Sequence, residues 1–120
     1  MGKLKGINAA KGLDIVGGNA ALYQRLLKKF NDNTMCEDLL AAIRGGNAAE
    51  IREAAHALKG VSANLGLDLL FQRSQEIEQT AKNGEAVAPS DPLVSALAEE
   101  SAQTKASIQA VLDNPGLLSK

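Results

Sequence analysis

Apolar residues along this chain recur at intervals of three and four and nowhere alternate with period two over several positions, a pattern that predicts helices and no sheet. The most regular stretch runs from Asn47 to Gly66. On a helical wheel of about 100° per residue, Ile51, Ala54, Ala55, Leu58, Val61, Ser62 and Leu65 form one stripe. Asn47 stands where an N-cap is needed, Glu50 supplies an acid in the first turn, and Gly66 closes the end. Upstream, Asn19 can cap a helix in which Leu22, Tyr23, Leu26, Leu27 and Phe30 share a face, ended by Asn31-Asp32-Asn33. Thr34-Met35-Cys36-Glu37 reads as a capping box opening a short amphipathic helix with Met35, Leu39, Leu40 and Ile43, which Gly45-Gly46 stops.

Downstream, Gly66-Leu67-Asp68 is so short a link that the next helix must fold back antiparallel, bringing Leu70, Phe71, Ser74, Ile77 and Ala81 against that stripe. Asn83-Gly84 ends it, residues 85–90 form a loop, and Pro92 suits the first turn of a final helix. There Leu93, Val94, Leu97, Ser101, Thr104, Ile108, Val111 and Leu112 keep one apolar-to-small face until Asn114-Pro115-Gly116. The expected fold class is therefore all-α, an antiparallel up-down four-helix bundle with the short helix at Met35 and an additional helical turn at residues 7–10 near the N-terminus. The chain reads as one domain, with residues 1–6 a loosely ordered lead-in and residues 114–120 a tail.

Composition narrows this further. A chain of 120 residues can bury a core without metal or disulfide staples. Because 45% of it is apolar and only 2% aromatic, the core must be Leu, Ile, Val and Ala packed closely. A formal charge of −1 with mixed signs argues against a nucleic-acid surface, which needs a basic face. Cys36, the single cysteine, cannot form an internal bridge and falls where a core residue would fall. No apolar run approaches the roughly 18 residues of a membrane span, and Met1-Gly2-Lys3-Leu4-Lys5 has no apolar signal core behind it. The expectation is a cytoplasmic chain that meets a membrane only through a larger parent protein.

The candidate chemistry lies at the one histidine. His56 falls roughly 160° from the centre of its helix's apolar stripe, so the imidazole faces water or a partner. Lys59 and Gly60 follow at three and four positions, one turn away on the same side. A helix glycine costs about 1 kcal/mol against alanine, so Gly60 on an open surface calls for a reason, and close approach by another molecule is one. Neutral imidazole is a nitrogen nucleophile available near neutral pH, whose phosphoryl adduct keeps a high transfer potential. A lone surface histidine is ordinarily only solvated; Lys59 and Gly60 set this one apart. Arg52, four residues before it, either adds positive field or pairs with neighbouring Glu50 or Glu53. On the next helix, either Gln75 or Glu78 is placed to hydrogen-bond the other ring nitrogen, and Leu69, off its helix's stripe, is a candidate exposed docking residue.

Absences matter equally. There is no Gly-x-x-x-x-Gly-Lys-Ser/Thr stretch to hold ATP. One His, one Cys and scattered acids make no metal site, and no acid is evidently placed to build a serine triad with Ser62.

His56-Ala57-Leu58-Lys59-Gly60, continued by Ser62, Asn64, Leu65 and Gly66, resembles the phosphoacceptor motif of the histidine-containing phosphotransfer (HPt) domains of bacterial two-component phosphorelays. Gly17-Gly18-Asn19-Ala20-Ala21-Leu22-Tyr23-Gln24-Arg25-Leu26-Leu27-Lys28-Lys29-Phe30 resembles their first long helix, and with the later helices the likeness spans roughly residues 7 to 113. The resemblance implies that His56 accepts phosphate on Nε2 and that Lys59 pairs with the phosphoryl oxygens. Gly60, Ala63, Arg52 and Leu69 would face the partner. It implies a carrier without autokinase activity and with no cofactor of its own, served by response-regulator receiver domains that bring Mg²⁺. The function expected is a monomeric phosphorelay intermediate, taking phosphate from one receiver aspartate and passing it to another, either as a free protein or beside the other domains of a hybrid sensor kinase. The alternative is a helical adaptor that binds a receiver or kinase without being phosphorylated.

Overall fold

A computed structural model describes residues 4–118. Six helices and a closing 3-10 turn follow one another: α1 Ala9–Ile15, α2 Ala20–Asp32, α3 Met35–Gly45, α4 Ala48–Leu65, α5 Asp68–Lys82, α6 Pro92–Asp113 and the turn Pro115–Leu118. There is no strand among the described residues. Polar caps set most of the starts. Asn19 Oδ1 accepts from Leu22 N at 3.0 Å, Asn47 Oδ1 from Glu50 N at 3.1 Å and Asp91 Oδ1 from Leu93 N at 2.9 Å, each satisfying a backbone donor that the helix leaves orphaned. Gly46 and Gly66, at φ 76° and 72°, take the left-handed turn that ends α3 and α4.

The core is aliphatic, as the composition requires. Leu27, Leu39, Ile43, Ile51, Leu58, Leu70, Ile77, Leu97 and Ile108 are fully buried, joined by Tyr23 and Phe30 from α2. Each such side chain contributes about 1.5–3 kcal/mol when taken wholly out of water. α4 and α5 form the most extensive helix pair; α6 lies against α5 and α2, and α3 bridges α4 and α6. Two polar contacts fix the arrangement. Arg73 on α5 grips Glu100 on α6 with two hydrogen bonds, Nε to Oε1 and Nη2 to Oε2, both 2.8 Å. Tyr23 Oη on α2 donates to the Leu65 carbonyl at 2.6 Å, and burial, with the Asp68 carboxylate nearby, pushes the phenol up to about 12.

The structure departs from the sequence reading in several places. The turn expected at residues 7–10 is instead a two-turn helix, Ala9–Ile15, because Asn8 caps it from Lys11 N at 3.1 Å and its own N–H donates to the Gly66 carbonyl at 2.7 Å. The capping box at Thr34 does not form. The Thr34 hydroxyl bonds the Asp38 carboxylate at 3.1 Å, Asn33 Oδ1 accepts from Met35 N at 3.0 Å, and the Glu37 carboxylate is drawn to Lys105 Nζ at 3.1 Å. Phe71, expected in the α5 core stripe, is half-buried, with Lys11 Nζ 5.9 Å from its ring centre. Of the lead-in, residues 1–3 lie outside the described residues, but the Lys5 carbonyl accepts from Ser107 Oγ at 2.7 Å and Leu4 packs against the core. Of the tail, residues 119–120 lie outside them as well, while Leu118 is buried in the core at 7% exposure. Apolar side chains at both ends find the bundle surface, which a reading by periodicity alone misses.

Candidate functional site

α4 presents two faces. Ile51, Ala55, Leu58, Ser62 and Leu65 point into the core, so the helix geometry alone turns His56 outward. Its side chain is 71% exposed. Because α5 returns antiparallel, Glu78 comes level with His56, next to the core residues Ile77 and Ala81. The Glu78 side chain is only 11% exposed, and its two oxygens are divided: Oε2 lies 2.7 Å from His56 Nδ1 and Oε1 lies 2.7 Å from Lys59 Nζ. Burial by itself raises the Glu78 carboxyl, but hydrogen bonds and positive charge from Lys59 and His56 outweigh it and hold the group below the usual carboxylate range. An ionised carboxylate can only accept, so Nδ1 carries the hydrogen and donates it. In the neutral form of the ring this leaves the lone pair on Nε2, on the side away from Glu78.

Of the two candidates on α5, Glu78 is the one that meets the ring. Gln75, the other candidate, is exposed and its side chain makes no hydrogen bond among the described residues; it lies three positions earlier on α5, about 60° round the helix. Lys59 is not a free cation waiting beside the imidazole. Its ammonium is engaged by Glu78, and its side chain is 29% exposed.

A groove of about 540 Å³ opens beside His56, lined by Arg52, Glu53, Lys59, Glu78 and Lys82 together with Ala49 and Ala57. Three cations face two carboxylates there, a balance that favours an anion. Lys82 was not singled out by the sequence reading. The signal was available, since Lys82 follows Glu78 by four positions and so shares its face of α5. Arg52 is exposed and forms no ion pair among the described residues, so neither Glu50 nor Glu53 takes it up.

Gly60 is exposed, and a Cβ placed on it would meet nothing within 4 Å. Ala63, two turns beyond His56, is half-buried. A second concavity of about 400 Å³ runs between α2 and α4, walled by Leu26, Phe30, Val61 and Leu65 with Lys29, Asn33 and Asn64. It is largely apolar and continues the Gly60 face, because Asn64 lies one turn beyond Gly60. Leu69 does not belong to this surface. It sits at the start of α5, the far end from Glu78, and is half-buried, with Cδ1 3.4 Å from where a Cβ on Gly6 would lie; the N-terminal segment covers it. Its place off the stripe is explained by that third element.

Among the described residues no group of three or more His, Cys, Asp or Glu side chains is placed to hold a metal ion, and no helix is long and apolar enough to cross a membrane.

Comparison with known proteins adds an independent line. The model of a family described as "Hpt domain" matches residues 23–113. Among solved structures, the chain is similar to the HPT domain of a sensor hybrid histidine kinase from Shewanella, with a TM-score of 0.82 and 23% identity, covering 92% of this chain and 97% of that one. At that identity the likeness speaks for the fold. No curated protein sequence matches.

Proposed function

The chain belongs to the Hpt domain family, whose members carry phosphoryl groups in two-component signalling, and from that premise we propose that it is a phosphorelay intermediate with His56 as the phosphoacceptor. The observation that carries this reading is the division of labour on the imidazole: Nδ1 is held by Glu78 at 2.7 Å, while the side chain is 71% exposed. A ring fixed in one tautomer, with its free lone pair at the surface, is what in-line attack on a bound acyl phosphate requires.

In the forward step the Nε2 lone pair attacks phosphorus of a receiver's aspartyl phosphate. The phosphorus–oxygen bond breaks, its electron pair stays on the receiver's aspartate as carboxylate, and Nδ1 keeps its hydrogen against Glu78. The return step transfers the group to a second receiver's aspartate, with the electron pair returning to Nε2. Little covalent help is needed, because phosphoryl transfer depends on positioning and on neutralising the equatorial oxygens. Arg52, Lys59 and Lys82 line the groove where those oxygens would sit. The divalent ion that aids this neutralisation belongs to the receiver. The receiver's active-site edge enters over Gly60, and the apolar concavity between α2 and α4 offers it a continuous contact surface. The Shewanella domain that the fold resembles comes from a sensor hybrid histidine kinase, and a place beside the other domains of such a kinase is one setting for this carrier.

The test is incubation with a phosphorylated receiver followed by assay for acid-labile, base-stable phosphate. Uptake that is lost in His56→Gln with an unchanged melting temperature supports the carrier. Binding of a receiver without any phosphate on His56 would favour the adaptor instead.

A further inference from the structure

Glu78 holds more than the ring. One of its oxygens meets His56 Nδ1 and the other Lys59 Nζ, each at 2.7 Å, and the carboxylate is nearly enclosed at 11% exposure. Resting on the carrier reading above, we infer that Glu78 is a positioning residue that also sets how long the phosphohistidine survives, keeping it short-lived and biased towards handing its phosphoryl group on.

Phosphorylation of Nε2 puts a group of about −2 charge on the far side of a five-membered ring from a carboxylate that little water can screen. Like charges at that separation repel appreciably inside a protein. Both anions also want the same ammonium, since Lys59 cannot stay fully on Glu78 and fully neutralise the phosphoryl oxygens. The second effect concerns the leaving group. A ring bearing phosphorus on Nε2 and hydrogen on Nδ1 is cationic, and a carboxylate accepting from Nδ1 stabilises that form. When the phosphorus–nitrogen bond breaks, the electron pair returns to Nε2 and a neutral imidazole departs, so the cationic form is the one ready to transfer. Repulsion, and the larger share of the ring held in the cationic form that is ready to transfer, both raise the rate at which the phosphoryl group is lost. The other charges around the groove, Arg52, Glu53 and Lys82, are common to every variant compared below and leave this contrast intact.

A glutamine at position 78 keeps an oxygen for Nδ1–H but removes the charge and releases Lys59. Glu78→Gln, charged with phosphoramidate and freed of donor, is therefore expected to hold its phosphohistidine about tenfold longer than wild type at neutral pH, the scale of one interaction removed at this range. Lys59→Ala is expected to act in the opposite sense and shorten the half-life, because it leaves the carboxylate uncompensated. Glu78→Ala, which drops the acceptor as well, should charge more slowly than Glu78→Gln.

A half-life in Glu78→Gln equal to or shorter than that of wild type would overturn the inference, as would a folded Glu78→Gln that takes no phosphate, or a longer half-life in Lys59→Ala. A purely structural role for Glu78 would lower the melting temperature and leave the half-life alone. Wild-type protein that never forms phosphohistidine with either donor would remove the carrier reading itself, and this inference with it. Wild-type protein that charges normally beside an unaltered Glu78→Gln half-life would remove this inference only.

Discussion

Gly60 stands one helical turn beyond His56 on the exposed face of α4, and the space where its Cβ would be is empty to 4 Å. Fold and docking make opposite demands on that position. Alanine there should raise stability by about 0.5–1 kcal/mol, since it is the better helix former and meets no neighbour. Gly60→Leu should also fold, yet it should cut receiver-dependent transfer about 10²-fold by holding the donor phosphorus out of line. Phosphoramidate needs no docking and should still phosphorylate His56 in the same variant. Full-rate transfer from a receiver in Gly60→Leu would leave the glycine without a docking role.

Lys59→Ala should slow charging by a receiver less than tenfold. The ammonium already serves Glu78 at 2.7 Å, Arg52 and Lys82 remain in the groove, and the receiver brings its own charge-neutralising groups. Rapid-quench measurement of the charging rate checks this. A loss of several hundredfold would make Lys59 the principal phosphoryl contact.

Lys82, on the same face of α5 as Glu78, gives a sharper electrostatic test. Lys82→Glu turns three cations against two carboxylates into two against three around the groove, so phosphoryl uptake should slow several-fold, most at low ionic strength. Salt titration of the charging rate reads this directly. Identical rates at every salt concentration would place Lys82 outside the site.

Acid stability should carry the mark of Glu78. Its folded carboxyl lies below the ordinary value of 4.5, so its contribution is present above that value and is lost as pH falls through the lower folded value. Denaturant melts of wild type and Glu78→Gln should therefore differ most near neutral pH and converge as the solution is taken well below pH 4.5. A gap that stays constant down to strong acid would mean that Glu78 is not ionised in the fold.

Gly66 is where α1 is stitched to the bundle. With φ at 72° and the Asn8 carbonyl oxygen 2.5 Å from a Cβ at that position, Gly66→Ala is both strained and blocked by backbone. The cost should exceed about 1 kcal/mol, with increased amide exchange in α1 and at the α4–α5 turn. Hydrogen exchange that is unchanged in α1 would show that the helix does not depend on this contact.

The sequence by itself determined the helices from α2 to α6, the antiparallel return of α5 on α4 and the outward turn of His56. Each follows from local rules: the 3.6-residue period of Ile51, Ala55, Leu58 and Leu65, the caps at Asn19 and Asn47, Pro92 in the first turn of α6, and a connection at Gly66-Leu67-Asp68 too short for anything but a reversal. What lay beyond those rules depended on which surfaces met. Gln75 and Glu78 were equal candidates along α5, and only the rotation of α5 against α4 brought Glu78, and not Gln75, to His56 and Lys59. The burial of Leu69 under the N-terminal segment, the docking of α1 on Gly66, and the displacement of the Thr34 cap by Asn33 and Asp38 have the same origin. Local periodicity states which side of a helix is apolar, whereas the partner of a polar side chain is fixed by interhelical rotation and by segments distant in sequence, so the imidazole was legible in the chain and the carboxylate that governs it was decided by packing.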